Sequence, residues 1–344
     1  MKHLIDGIAS RLATEFQHGL VITVTTALAF FAISSTARAG DLKEVRLGYF
    51  PNLTHAQAVL GVASGDFEKA VAPVKFTTKT FNAGPSAIEA IFAGEIDVQY
   101  IGPSPALNGF AKSRGEGVRV ISGASANGVL IVAGANSGIN SLADLKGKRV
   151  ATPQLANTQD VAARHYLRTK LGQENLDNVL PVPNAEQSAL LSRGQIDASW
   201  AVEPWASRLV AEAGGRIIGR EEELWPQGQF STTIIITTPK FLNEHPEVIE
   251  KLLKVHMDWT KQLQDKPDES VAKLEEALFT LTNKKLPPGV GAAAFKNIVF
   301  TNDPLAFTFD VFSQWSFDLG FSKTKTNVSK LVDTTILDRL RASK

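Results

Sequence analysis

Gly94-Glu95-Ile96-Asp97-Val98-Gln99-Tyr100-Ile101-Gly102-Pro103-Ser104-Pro105 returns in weaker form one hundred residues on, as Gly194-Gln195-Ile196-Asp197-Ala198-Ser199-Trp200-Ala201-Val202-Glu203-Pro204-Trp205. Each copy follows an apolar helical pattern, Ala87, Ile88, Ile91 and Phe92 in the first and Ala189, Leu190 and Leu191 in the second. Each then reads as a strand that stops at a proline-bearing turn. Phe50-Pro51-Asn52-Leu53-Thr54 and Thr152-Pro153-Gln154-Leu155-Ala156 hold equivalent places after strands of their own. Strands alternating with helical patterns imply βα units. The repeat therefore predicts an α/β chain of two similar lobes, each a mainly parallel sheet flanked by helices.

Two apolar strands, Val129 to Ala133 and Thr232 to Thr237, flank the second copy and are the expected crossings between lobes. The first lobe is then built from 42–130 and 235–344, and the second from 131–234 with the hinge crossings. Short crossings suit a hinge that closes two lobes on a ligand. Ser141 with Asp144 resembles a helix-opening capping pair. Beyond Pro246 the pattern is mostly helical, with Val248, Ile249, Leu252, Leu253, His256, Trp259 and Leu263 recurring at about 3.6 residues.

The chain's 344 residues leave room for two such lobes, and 44% hydrophobic with 21% charged residues is an ordinary globular balance. Near the amino terminus, Gly19 to Ser34 is an uncharged, mostly apolar run behind Lys2 and Arg11. Ala37-Arg38-Ala39 follows as a small-x-small site. Together they predict an export signal over 1–39, cleaved after Ala39, and a periplasmic protein. A retained anchor is the alternative, although a spanning helix needs roughly 20 apolar residues. Without the three basic and two acidic residues of the first 39, 33 of each sign remain, so the exported chain is neutral. Neutrality offers no footprint for nucleic acid. Cysteine is absent, which removes thiol catalysis, disulfides and cysteine-bound zinc.

In open parallel sheets ligands bind beyond the carboxyl ends of the strands. Four segments land there: Asn52-Leu53-Thr54-His55, Gly84-Pro85-Ser86, Gly102-Pro103-Ser104-Pro105, and Asn157-Thr158-Gln159 behind Ala156. Helix starts at such places offer backbone N–H groups and the positive end of the dipole, so they hold an anion without a cationic side chain. Ser86 and Asn157 are equally suited to plain N-caps. Tyr100, Trp200 and Trp205 fall at strand ends, where they either cover a ligand or pack in the core. Glu203 either accepts from a ligand amine or caps the next turn. No catalytic constellation and no metal set is legible, because the six histidines are scattered and no phosphate or dinucleotide loop occurs. A binding protein without cofactor is expected. His55 stands apart, as a histidine inside an expected site loop.

The segments GYFPNLTHAQAVLG (48–61), NAGPSAIEAIFAGEIDVQYIG (82–102), SLADLKGKRVATP (141–153) and RGQIDASWAVEPWASRLV (193–210) together resemble the nitrate/sulfonate/taurine class of periplasmic substrate-binding proteins. They are most similar to the aliphatic-sulfonate binders. That resemblance implies a type II periplasmic-binding fold, capture of a small organic anion between closing lobes, and delivery by a monomer to an inner-membrane ABC permease with its ATPase. It places the anion site on the four segments above. Gly102-Pro103-Ser104 departs from the acidic residue usual there in sulfonate binders, and Glu203-Pro204-Trp205 from the usual Asp-Pro-aromatic. The class also includes binders of thiamine pyrimidine precursors, for which Trp200, Glu203 and Trp205 supply stacking and hydrogen bonds. Presentation of a ligand to a membrane sensor is a further alternative to import.

Overall fold

The computed structural model describes residues 42–343, so the expected export signal and its cleavage after Ala39 lie outside the described residues. Strand β1 (Glu44–Tyr49) leads through helices α1 (Ala56–Ala63) and α2 (Asp66–Val71) to β2 (Lys75–Thr80). Then come α3 (Gly84–Phe92), β3 (Val98–Ile101), α4 (Pro103–Lys112) and β4 (Arg119–Asn127). The second block runs β5 (Val129–Ala133), β6 (Val150–Thr152), α5 (Thr158–Leu171), β7 (Val179–Pro181), α6 (Asn184–Ser192), β8 (Ala198–Val202), α7 (Trp205–Ala213) and β9 (Arg216–Arg220). Strand β10 (Ser231–Thr237) returns to the first block. The tail holds α8 (Pro239–Glu244), α9 (Pro246–Asp265), α10 (Pro267–Thr282), α11 (Val290–Lys296), β11 (Ile298–Phe300), α12 (Phe309–Asp318) and α13 (Thr335–Ala342).

Two sheets result, ordered β11-β4-β10-β3-β1-β2 and β7-β6-β8-β5-β9. Strands β1, β2 and β3 pair parallel, as do β6, β7 and β8, which are the βα units read from the repeat. The pairs made by β5, β10 and β11 are antiparallel, so each sheet is mixed. Strand β5 follows β4, and β10 follows the 3₁₀ turns, each without the crossover helix that parallel pairing needs.

The repeat has a physical cause in both lobes. Asp97 accepts from the backbone N–H and guanidinium of Arg46 on β1, with a closest approach of 2.6 Å. Asp197 does the same for Arg149 ahead of β6, also at 2.6 Å. Each guanidinium also donates to the carbonyl of the repeat's glycine, Gly94 or Gly194. Gly-x-Ile-Asp thus locks the edge of one strand to its parallel neighbour.

The strands expected to span the lobes do not do so. Val129–Ala133 is buried at all five positions and pairs with β8 and β9, while Ser231–Thr237 is buried at all seven and pairs with β3 and β4. Strands paired on both edges and buried on both faces stay in one sheet. The chain changes sheet instead at Asn127-Gly128 and across the 3₁₀ turns Glu221–Leu224 and Pro226–Gly228. Gly128 has φ 75°, and a Cβ there would lie 2.7 Å from Ile298, so only glycine fits. Ser141 and Asp144 form the expected capping box, although it opens a 3₁₀ turn, Leu142–Leu145. In α9 all seven periodic residues are buried, His256 and Trp259 included.

Candidate functional site

Asn157 caps α5, its side chain accepting from the Asp160 N–H at 2.8 Å. Its amide N–H donates to Gln159 at 2.9 Å, so both ends of the side chain are used within the turn. Thr158 and Gln159 are the first helical positions, whose N–H groups have no intrahelical acceptor. Asp160 is buried in that turn, but Arg164 pairs with it at 2.9 Å and offsets its charge. Helices α3 and α4 begin after Ala83 and Gly102 with no side-chain cap. Their prolines carry no N–H, which leaves Gly84 and Ser86 as donors on α3 and Ser104 on α4 within the first turn. Ser86 is not a cap: its hydroxyl returns to the Ala83 carbonyl at 3.0 Å.

These starts meet. Asn52, Thr54, His55, Gly84, Gly102, Asn157, Thr158 and Gln159 line one cavity of about 30 Å³. One water needs roughly 10–15 Å³, so the space is small but fillable. Gly102 faces Thr158 across the lobes, and a Cβ on it would lie 2.3 Å from the threonine Oγ1. The hydroxyls of Thr54, Thr158 and Thr233 are buried with no hydrogen-bond partner. His55 Nδ1 accepts the Phe50 N–H at 3.3 Å, which leaves the proton of the neutral ring on Nε2. Burial pushes the His55 pKa down to about 3, so the ring is an uncharged donor. No Lys, Arg, Asp or Glu lines this cavity.

Other expected site residues stand elsewhere. Leu53 is core, and Pro85, Ser86, Pro103 and Ser104 lie outside the lining. Trp200 is fully buried and donates to Glu221 at 2.6 Å. Glu203 is fully buried, accepting from Ser207 at 2.8 Å and from Asn297 at 2.7 Å; the same burial raises its pKa. Trp205 donates to Asn52 Oδ1 at 2.7 Å, a bond from the second lobe to the first. The hydroxyl of Tyr100 meets His256 Nδ1 at 2.9 Å in the core. The stacking and hydrogen-bonding groups of the heteroaromatic alternative are therefore engaged with the protein. Pro105, at the end of the expected Gly102–Pro105 segment, lines the cavity, and Phe50, Val202, Thr232 and Thr233 also line it, unforeseen. Ile234 pairs with Ile101, so the antiparallel register sets Thr233 beside Gly102, a placement that local sequence does not carry. Among the described residues no group of His, Cys, Asp or Glu is arranged to hold a metal.

Comparison with known proteins adds five findings. The NMT1-like family profile matches residues 38–275. An aliphatic-sulfonates-binding relative from Bacillus subtilis (strain 168) is 26% identical over 273 residues, 75% of this chain and 78% of its own length. The taurine-binding periplasmic protein of Escherichia coli (strain K12) is 26% identical over 204 residues, 57% of this chain and 62% of that one. The solved alkanesulfonate-binding protein of Xanthomonas axonopodis pv. citri, bound to MOPS, shares the fold with a TM-score of 0.70 at 20% identity, over 86% of this chain and 99% of that one. The nitrate-binding protein of Synechocystis PCC 6803 shares it with a TM-score of 0.69 at 14% identity, over 88% and 89%.

Proposed function

Because this chain belongs to the NMT1-like family, we propose that it is the periplasmic solute-binding component of an ABC importer, closing two lobes on a small anion of the sulfonate, taurine or nitrate kind. One observation carries this reading: three buried hydroxyls without partners, on Thr54, Thr158 and Thr233, surround a cavity fed by helix starts from both lobes. An unpartnered buried polar group costs about 1–3 kcal/mol, a cost that a hydrogen-bonding ligand removes. With no charged side chain in the lining, negative charge is held by N–H dipoles and the neutral His55 donor. Binding without chemistry fits the same groups, since none of them is an activated nucleophile.

Export as a monomer, with cleavage after Ala39 and handover to a permease and its ATPase, completes the reading. Mass spectrometry of periplasmic material tests the cleavage, since a first residue other than Gly40 refutes it. The ligand test is a thermal-shift screen against alkanesulfonates, taurine, nitrate, bicarbonate and sulfate. A ligand at 100 times its Kd adds about 2.7 kcal/mol, a readily measured rise in Tm. A shift with one of these anions is the expected result. A shift only with thiamine pyrimidines overturns the anion class, and silence with every compound overturns the site.

A further inference from the structure

A second cavity, of about 150 Å³, adjoins the first and shares Asn52 with it. Asn82, Thr282 and Lys284 of the first lobe and Asn184, Ala185 and Trp205 of the second line it. Like the inner cavity, it has no carboxylate in its lining. Asn184 is 8% exposed, and its Oδ1 has no hydrogen-bond partner. It is also the first residue of α6, a nine-residue helix whose start has no side-chain cap. The amide can turn over to present either its oxygen or its N–H₂. Lys284 is exposed and enters no ion pair among the described residues. Of the other charges nearby, Arg208 stacks on the Trp205 ring at 5.1 Å, and the exposed Glu186 lies outside the lining.

From these groups we infer that the transported ligand is two-ended: its head fills the inner cavity and a second acidic group, such as a carboxylate, sits in the outer cavity against the α6 start, Asn184 and Lys284. The inference rests on the anion reading of the inner cavity. It separates this protein's substrate from taurine, whose far end is an ammonium that would find a cation and no carboxylate. It also separates it from simple alkanesulfonates, whose methyl end leaves Asn184 and Lys284 unmet. Since Lys284 belongs to the first lobe and Asn184 to the second, the second acidic group draws the lobes together.

The test is calorimetric titration of the purified protein with ethanesulfonate, taurine, sulfoacetate and 3-sulfopropanoate. At least one sulfocarboxylate is expected to bind about tenfold tighter than ethanesulfonate, a gap of 1.4 kcal/mol. Lys284→Ala should collapse that ratio toward one, and Lys284→Glu should turn the preference toward taurine. Lys284 is exposed, so neither change threatens folding. Equal or tighter binding of ethanesulfonate or taurine by the unaltered protein overturns the inference while the anion reading stands. A ratio that survives Lys284→Ala also overturns it. If none of these anions binds, nor nitrate, the reading of the inner cavity falls with it.

Discussion

Gly102 has φ −74°, an ordinary value, so its requirement for glycine is one of space alone. A methyl group at that position would meet Thr158 Oγ1 at 2.3 Å, where β3's end faces α5's start. Gly102→Ala is therefore expected to fold with near-normal stability and to lose most of the ligand-induced rise in Tm. A full rise in this variant would show that the lobes do not close there. The buried histidines set a different expectation. His55 and His256 are both held to a pKa of about 3 by burial, whereas an unfolded histidine protonates near 6.5. A depressed folded pKa gives stability that is complete above about pH 6.5 and lost as pH falls toward 3, by at most about 1.4 kcal/mol per unit for each ring. Urea unfolding at pH 7 and pH 5 reads this out, and His256→Gln should flatten the decline. Equal stability at both pH values would contradict it.

The second connection between the sheets carries its own titrating group. Glu221 is fully buried and accepts from the indole N–H groups of Trp200 at 2.6 Å and Trp225 at 3.3 Å. Burial raises its pKa to about 8. A raised folded pKa means the stabilisation is fully present below the unfolded value near 4.5 and is lost as pH rises through 8. The connection should therefore loosen on the alkaline side, opposite in sign to the histidines. Trp225 also stacks on Phe230 at 5.4 Å and packs on Phe312 at 4.6 Å, so the loosening reaches the entry to β10 and α12. Glu221→Gln keeps an acceptor for one indole and cannot ionise. Its stability should stay level from pH 6 to 9 where the parent protein declines; a parallel decline in both proteins would assign the effect to another group.

At the scale of the molecule, side-chain hydrogen bonds tie the lobes together at several points, and Arg168 donates to the Asp318 carbonyl at 3.0 Å. Asn297 donates to Glu203 at 2.7 Å and accepts from Arg220 at 2.8 Å, and Trp205 donates to Asn52 at 2.7 Å. All of these join the second lobe to the first. The apparent affinity of a closing protein is reduced by the fraction of molecules able to close. Asn297→Ala removes two of these bonds and takes the cross-lobe donor from the buried Glu203. The expected outcome is weaker ligand binding, by about tenfold for each 1.4 kcal/mol lost, with a larger radius of gyration in solution scattering of the ligand-free protein. Unchanged affinity and radius would mean that Asn297 does not hold the lobes together.

Periodicity and the Gly-x-Ile-Asp repeat made the α/β class, the two sheets and the buried face of α9 legible in the sequence, because strand and helix patterns depend on neighbours two to four residues away. The same locality made the Asn52–His55, Gly84, Gly102 and Asn157–Gln159 strand ends readable as one edge. The extent of β5 and β10 within their sheets was not readable, since pairing on both edges is set by partners up to a hundred residues distant. Nor were Thr233's place beside Gly102, the spending of Trp200 and Glu203 on Glu221 and Asn297, or the exclusion of Ser86. Each of these depends on which hydrogen-bond partner a buried side chain finds, and only tertiary structure brings such partners within 3 Å.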